Sequence, residues 1–268
     1  MSALGWAAQH RLLLVGTGIL VLIGLAAAGV WFFILQSPGT QVSLRQAIRT
    51  YRQDQTSAKT DNEADLPASG VYRYRTTGGE HLSFGGVSRQ FPASSEMIVT
   101  DQHGCATMKW EPLVQHMEGL VVCPGPDGAL KIASTSSYEE IVGIVTKSVV
   151  RCPAGTYLVP PNAKPGDHWR TTCHGTHDEQ VVFSGRVVGK ATVDVGRHRD
   201  QAIHTHLTLQ FSGAESGTNP NDYWVTAGTG LILRQDETVA VAQQAGPLGS
   251  VHYTEQMGIA LEAAAPTR

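Results

Sequence analysis

The run Val71–Thr77, VYRYRTT, alternates Tyr72 and Tyr74 with Arg73 and Arg75, and this two-residue period decides the fold class. Successive side chains of a strand point to opposite faces, so the tyrosines share one face and the arginines the other. Before Gly70 the apolar period is helical; after it, strand-like runs recur to the end of the chain. EMIVT and CATMKW (96–100, 105–110) flank the turn DQHG, and GLVVC and ALKIAS (119–123, 129–134) flank PGPDG. VVFSGRVVGKATVDV and AIHTHLTLQF (181–195, 202–211) flank GRHRDQ in the same way. The run STSSYEEIVGIV, 134–145, reads as a helical turn or short helix covering one sheet face. In the last run, 250–263, Val251, Tyr253, Met257, Ile259 and Leu261 fall on one face with Glu255 interrupting. That apolar face is expected to be core. The fold expected is mainly β, with few short helices: one domain, 70–268, built on a curved antiparallel sheet in meander order.

Upstream, Leu12 to Leu35 is a run of 24 residues without a charge, about 36 Å long as a helix against a hydrocarbon core of about 30 Å. Ala26, Ala27 and Ala28 resemble a signal-peptide cleavage site, but the apolar run continues through Val30, Trp31, Phe32 and Phe33, which favours an uncleaved transmembrane helix. The division expected is a cytoplasmic tail at 1–11, the membrane helix at 12–35 and a juxtamembrane helix and linker at 36–69. Arg45, Arg49 and Arg52 follow the apolar run while Arg11 alone precedes it, which taken literally places the domain in the cytoplasm.

The cysteines argue the other way. Four of them, separated by 18, 29 and 21 residues, contain no zinc-type C-x-x-C pair. Pairing as Cys105–Cys123 and Cys152–Cys173 between neighbouring strands implies an oxidising compartment. Large domains translocate with little regard to flank charge, so the chain is expected in the cytoplasmic membrane as a single-pass protein, its C-terminal domain extracytoplasmic.

After the membrane run, VSLRQAIRTYR (42–52) reads as a helix capped by Ser43, with Gln46 three residues on and Val42 and Ala47 at staple positions. Leu44, Ile48 and Tyr51 form an apolar stripe beside the basic stripe Arg45, Arg49, Arg52. The helix is expected to lie on the membrane surface with its arginines on anionic lipid; the alternative is that its apolar stripe packs on the β domain. The polar stretch 56–70 that follows has the composition of a linker.

Candidate chemistry was weighed at three places. In HWRTTCHGTHDEQ (168–180), His168, Cys173, His174 and His177 lack the second paired knuckle of a zinc site, and a disulfide at Cys173 is the stronger reading. In IHTH (203–206), His204 and His206 share a face with Thr208 and Gln210, opposite Ile203, Thr205, Leu207 and Leu209, and read as solvent-facing. GRVVGK (185–190) has the wrong spacing for a phosphate loop, and neither a nucleophile elbow nor a zincin motif occurs. No catalytic residue, metal ligand or cofactor is expected. A formal net charge of -3, with 16% charged and 41% hydrophobic residues, offers nucleic acid no footprint.

The grammar of PPNAKPGDHWR (160–170), GRVVGKATVDVGRHRDQAIHTHLTL (185–209) and DYWVTAGTGLILRQDET (222–238) resembles secreted β-sheet proteins of the bacterial envelope. Together with VSLRQAIRTYR, GVYRYRTTGGE (70–80) and FPASSEMIVT (91–100), the chain resembles single-pass envelope proteins of actinobacteria, a group with no assigned activity. A looser similarity of architecture is to envelope lipoprotein carriers with a curved antiparallel half-barrel. The long apolar strand faces and the membrane tether point to a membrane-anchored envelope domain that binds rather than catalyses, holding a lipid or other apolar ligand in a cupped sheet. The alternatives are a scaffold domain with a solid core that binds an envelope protein partner, and an envelope hydrolase without a recognisable motif.

Overall fold

The computed structural model describes residues 39–57, 66–83, 86–141, 144–176, 179–213, 215–244 and 250–268. The expected tail and membrane helix, 1–35, lie outside the described residues. Among the described residues no helix is long and apolar enough to cross a membrane.

Among the described residues one α-helix, α1 (Leu44–Ser57), precedes fourteen strands. They are β1 (Gly70–Leu82), β2 (Val87–Gln90), β3 (Ser94–Gln102), β4 (Cys105–Leu113), β5 (His116–Pro124), β6 (Leu130–Ile141), β7 (Ile144–Arg151) and β8 (Tyr157–Val159). The second half comprises β9 (His168–His174), β10 (Gln180–Val195), β11 (His198–Ser212), β12 (Glu215–Thr226), β13 (Ile232–Gln244) and β14 (Ser250–Leu261). All pair antiparallel into one sheet, nearly every strand beside its sequence neighbour.

The meander order expected from sequence is present, but the sheet is closed rather than merely cupped. β14 pairs along β1, from Tyr74↔Leu261 to Leu82↔Tyr253. On its other side β1 pairs with β3 and then with β2, turning between them at Gly78, whose φ of 101° and close approach to the Gln256 carbonyl leave no room for a Cβ. Closure pairs β14 with β1, the two ends of the meander, and leaves β2 and β8 as short strands paired on one side. Its thinnest place is between β7 and β9, which share a single ladder pair, Arg151↔His174.

Both disulfides form as the spacing predicts. Cys105–Cys123 joins β4 to β5, and Cys152–Cys173 lies one residue beyond the lone β7–β9 pair, across the seam. The seam is further tied by Thr171 Oγ1 donating to the Gly155 carbonyl (3.1 Å) and Ser148 Oγ donating to Glu179 (3.0 Å).

Turn chemistry explains the registers. His103 and Gly104 both take positive φ (56° and 75°), the pairing a two-residue hairpin of right-twisting strands demands. GRHRDQ is shorter as a turn than the sequence suggests, because β10 and β11 pair to Val195↔His198 across Gly196 and Arg197. The run 134–145, expected as a helical turn, instead runs in strands on both sides of 142–143, paired with β5 and with itself as a hairpin.

Helix α1 starts where the cap predicts, with the Gln46 amide donating to Ser43 Oγ at 3.3 Å. Val42, Ala47 and Tyr51 are buried with Val71 and Ile98, and Leu44 and Ile48 pack against that cluster. Of the two arrangements read from sequence, the structure takes packing on the domain: β3 is buried on both faces because the helix covers its outward side at Ile98. The stripe Leu44, Ile48, Tyr51 is therefore not free to enter a membrane surface. Arg45, Arg49 and Arg52 face solvent.

Inside the ring, one end is solid. Tyr72, Tyr74, Leu130, Leu158, Leu207, Leu233, Ile259 and Leu261 are almost fully buried, and Tyr74 Oη donates across the interior to the Ile232 carbonyl at 2.6 Å.

Candidate functional site

Inward positions change character along each strand. In β14 they read Leu261, Ile259, Met257, then Glu255, Tyr253, Val251; in β1 they read Tyr72, Tyr74, Thr76, then Glu80 and Leu82. Beyond the solid end there is a polar belt, and beyond the belt a chamber of about 260 Å³. Glu118, Leu120, Glu139, Leu209, Phe211, Glu215, Asn219, Asn221, Tyr223, Gln235, Glu237, Val241, Val251, Tyr253 and Glu255 are among its walls.

The expected apolar face of β14 is thus divided. Met257, Ile259 and Leu261 belong to the packed core, whereas Val251 and Tyr253 line the chamber together with Glu255. The interruption in the apolar run is a wall of the site.

Two groups make the belt. In the first, Glu80 Oε1 meets Arg89 Nη2 at 2.6 Å, and Glu80 Oε2 lies 3.2 Å from His116 Nδ1. Arg89 also donates to the Glu140 carbonyl (2.8 Å), and Tyr253 Oη lies 2.8 Å from Glu80 and 2.6 Å from Glu255. His116 is edge-packed by Phe91 and Trp110, at 5.1 and 5.5 Å between ring centres. Its Nε2 lies 3.7 Å from both Glu118 Oε1 and Glu255 Oε1, too far for a hydrogen bond. In the second group, Asn219, Asn221 and Gln235 all donate side-chain amide hydrogens to Glu237.

The electrostatics follow from burial. Desolvation pushes Glu237 up to about 8, with Glu118 adding to the rise, and pushes Glu139 and Glu215 up to about 7. Glu255 is raised well above the ordinary carboxyl range by burial, despite His116 beside it. Glu80 goes the other way: burial would raise it, but the hydrogen bond and charge of His116, with Arg89, outweigh that and lower it. Burial alone would lower the His116 imidazole; the carboxyls of Glu255, Glu118 and Glu80 outweigh it and hold the ring well above its ordinary value.

Glu80, His116 and Glu255 bring potential ligand atoms within 4.8 Å of one another. Glu80, however, already carries a guanidinium and a phenol, so a metal there would have to displace both. Glu179, which does not line the chamber, adds to the rise of Glu215.

Other residues singled out in the sequence lie elsewhere. Cys173 is in its disulfide, His168 and His174 are exposed, and His177 lies outside the described residues. His204 and His206 face outward on the wall as expected, but they are tied down rather than free. Both bond Asp222, at 2.7 and 3.1 Å, and His204 stacks on Trp224, whose ring also carries Arg234 at 4.6 Å. Glu80, His116, Asn221 and Glu237 were not found by sequence reasoning. The available signal was a carboxylate in phase with buried residues on a strand, as Glu255 is with Met257 and Glu237 with Leu233.

No protein-family model matches the chain, and no curated protein matches it. Among solved structures it is similar to the crystal structure of the hypothetical lipoprotein YmcC from Escherichia coli K12, with 14% sequence identity and a TM-score of 0.34, over 85% of this chain and 100% of that one.

Proposed function

We propose that residues 39–268 form a binding domain of the cell envelope, tethered to the cytoplasmic membrane by the apolar run 12–35 and exposed outside the cytoplasm, which holds a small, partly apolar molecule inside its barrel. The observation that carries this reading is the chamber of about 260 Å³ enclosed by a closed sheet with one solid end. A domain selected for rigidity alone fills its interior to crystal-like density, and the other half of this barrel does so. Concave, mostly apolar chambers with a few fixed polar groups are the usual form of a small-molecule site. Two disulfides support an oxidising compartment. In this reading the domain binds its ligand and does not transform it. Native mass spectrometry of the full-length protein released from its own membrane tests it. A reproducible non-covalent adduct is expected, lost on denaturation; its absence, with no uptake of a small fluorescent apolar probe, would favour a scaffold whose chamber holds only water.

A further inference from the structure

Resting on that binding reading, we infer that the chamber's ligand carries a primary ammonium group, seated against Glu255, Asn219 and Asn221, with its apolar part directed toward Phe211 and Val251. Five glutamates line the chamber, Glu118, Glu139, Glu215, Glu237 and Glu255, and no arginine, lysine or histidine lines it among the described residues. The basic groups of the belt are Arg89 and His116; both are paired with Glu80, and His116 Nε2 also faces Glu255 Oε1 at 3.7 Å, beyond hydrogen-bond reach.

Hydrogen bonding gives an independent argument. Among the described lining residues, Glu255 Oε1, Asn219 Oδ1 and Asn221 Oδ1 are buried without a hydrogen-bond partner. The Glu255 side chain is only 2% exposed. The two asparagine oxygens accept, and Glu255 Oε1 accepts once its carboxyl is ionised; they sit on β12 and β14, the strands on either side of β13. The two asparagines cannot turn their amides over to relieve this, because each Nδ2 is held by Glu237. Leaving a buried polar atom unpaired costs about 1–3 kcal/mol, so three acceptors without donors mark the place of a group that donates several hydrogen bonds. An ammonium has three N–H donors and no acceptor. A carboxylate or phosphate would bring only more acceptors against the glutamates, and a hydroxyl could satisfy one orphan as donor.

The chamber's size suits this occupant. At about 30 Å³ for each water-sized group, 260 Å³ holds a head group and a short alkyl chain or a compact ring. The belt lies at the solid end and Val241, Phe211 and Val251 lie toward the strand ends, so a molecule polar at one end and apolar at the other matches the gradient. Burial raises the carboxyls of Glu237 and Glu255 and so favours their protonated forms. A cation placed beside them favours the ionised form and displaces those protons. Facing the same space are Glu118 from β5, Glu139 from β6, Glu215 from β12 and, behind the belt, Glu80, Arg89 and His116, which set how many protons leave.

The test uses the full-length protein in phosphatidylcholine nanodiscs and three probes of equal chain length: n-hexylamine, n-hexanol and n-hexanoate. Calorimetric titration at pH 7, in two buffers of different ionisation enthalpy, reads affinity and proton release together. Hexylamine should bind at least tenfold more tightly than hexanol, hexanoate should be weakest, and hexylamine alone should release protons. Glu255→Gln should remove most of the preference for hexylamine over hexanol; proton release by the unaltered protein decides the matter if that variant does not fold. Hexanol or hexanoate binding as tightly as hexylamine, or hexylamine binding without proton release, overturns the ammonium inference and leaves the binding reading standing. If none of the three binds, the chamber is not a ligand site and both readings fall.

Discussion

The β7–β9 seam allows a quantitative comparison between two disulfides that close loops of nearly the same length. Chain entropy assigns about 3 kcal/mol to each, since Cys105–Cys123 spans 18 residues and Cys152–Cys173 spans 21. Their surroundings differ. Around Cys105–Cys123, β4 and β5 are laddered from Ala106↔Val122 to Trp110↔Glu118, so cutting the bridge leaves the strands joined. Across the seam one ladder pair remains, Arg151↔His174, with the side-chain bonds of Thr171 and Ser148. Replacing both cysteines of either pair with alanine should lower global stability in urea by about 3 kcal/mol. Hydrogen exchange should separate the two variants. Without Cys152–Cys173 the seam opens independently of global unfolding, and amides on the facing edges of β7 and β9 should exchange faster still than the two orders of magnitude that about 3 kcal/mol of global loss implies. Without Cys105–Cys123 exchange should rise only with the global change. Equal exchange at the seam in both variants would show that side-chain packing, not the covalent bridge, holds that wall.

Three further outcomes are expected. Stability should fall as pH rises from about 4.5 toward 8: Glu237, Glu139 and Glu215 are raised in the folded state, so they favour folding while protonated and lose that contribution as pH climbs through their folded values near 8 and 7. His116, also raised, loses its contribution in the same direction, whereas Glu80, lowered, contributes above its unfolded value and is lost only in acid; Glu237→Gln should flatten the slope measured by thermal unfolding between pH 5 and pH 8. Tyr51→Ala should cost about 3 kcal/mol by emptying the site between α1 and Ile98, while Arg45→Glu and Arg49→Glu, on the exposed face, should each change urea stability by less than about 0.5 kcal/mol. At Gly185 a Cβ would lie 2.1 Å from the Trp169 ring, so Gly185→Ala should displace the indole, shift its fluorescence and cost about 1–3 kcal/mol.

Sequence period made the strands legible wherever the inward face was apolar. Tyr72 with Tyr74, and Met257 with Ile259 and Leu261, alternate because the solid end of the barrel requires it. It failed at 134–145, where Thr135, Ser137 and Glu139 point inward in step with Ile141: a strand whose inward face lines a polar chamber loses the apolar alternation that reveals a strand. Cysteine spacing found both bridges, since each joins adjacent strands and so leaves a short loop. Closure was not legible, because nothing local in VYRYRTT or in HYTEQMG marks them as partners. The site was hidden for a related reason. Each of β1, β5, β12, β13 and β14 contributes one to three polar residues to the belt, and they converge only once the ring is complete.

That ring also sets the order in which the protein can mature. Thr77 donates to the carbonyl of Gly258 across 181 residues of chain, and β1 has no partner on that side until the last strand emerges. Joining such distant segments costs loop entropy before any contact repays it, so closure should be the slow step of folding. Until then both β1 and β14 expose a row of unpaired amides and carbonyls, the template on which strands of neighbouring chains assemble. The chain passes through that vulnerable interval on every round of synthesis, and slow synthesis or truncation before Ser250 should convert it into aggregate rather than into a smaller working domain.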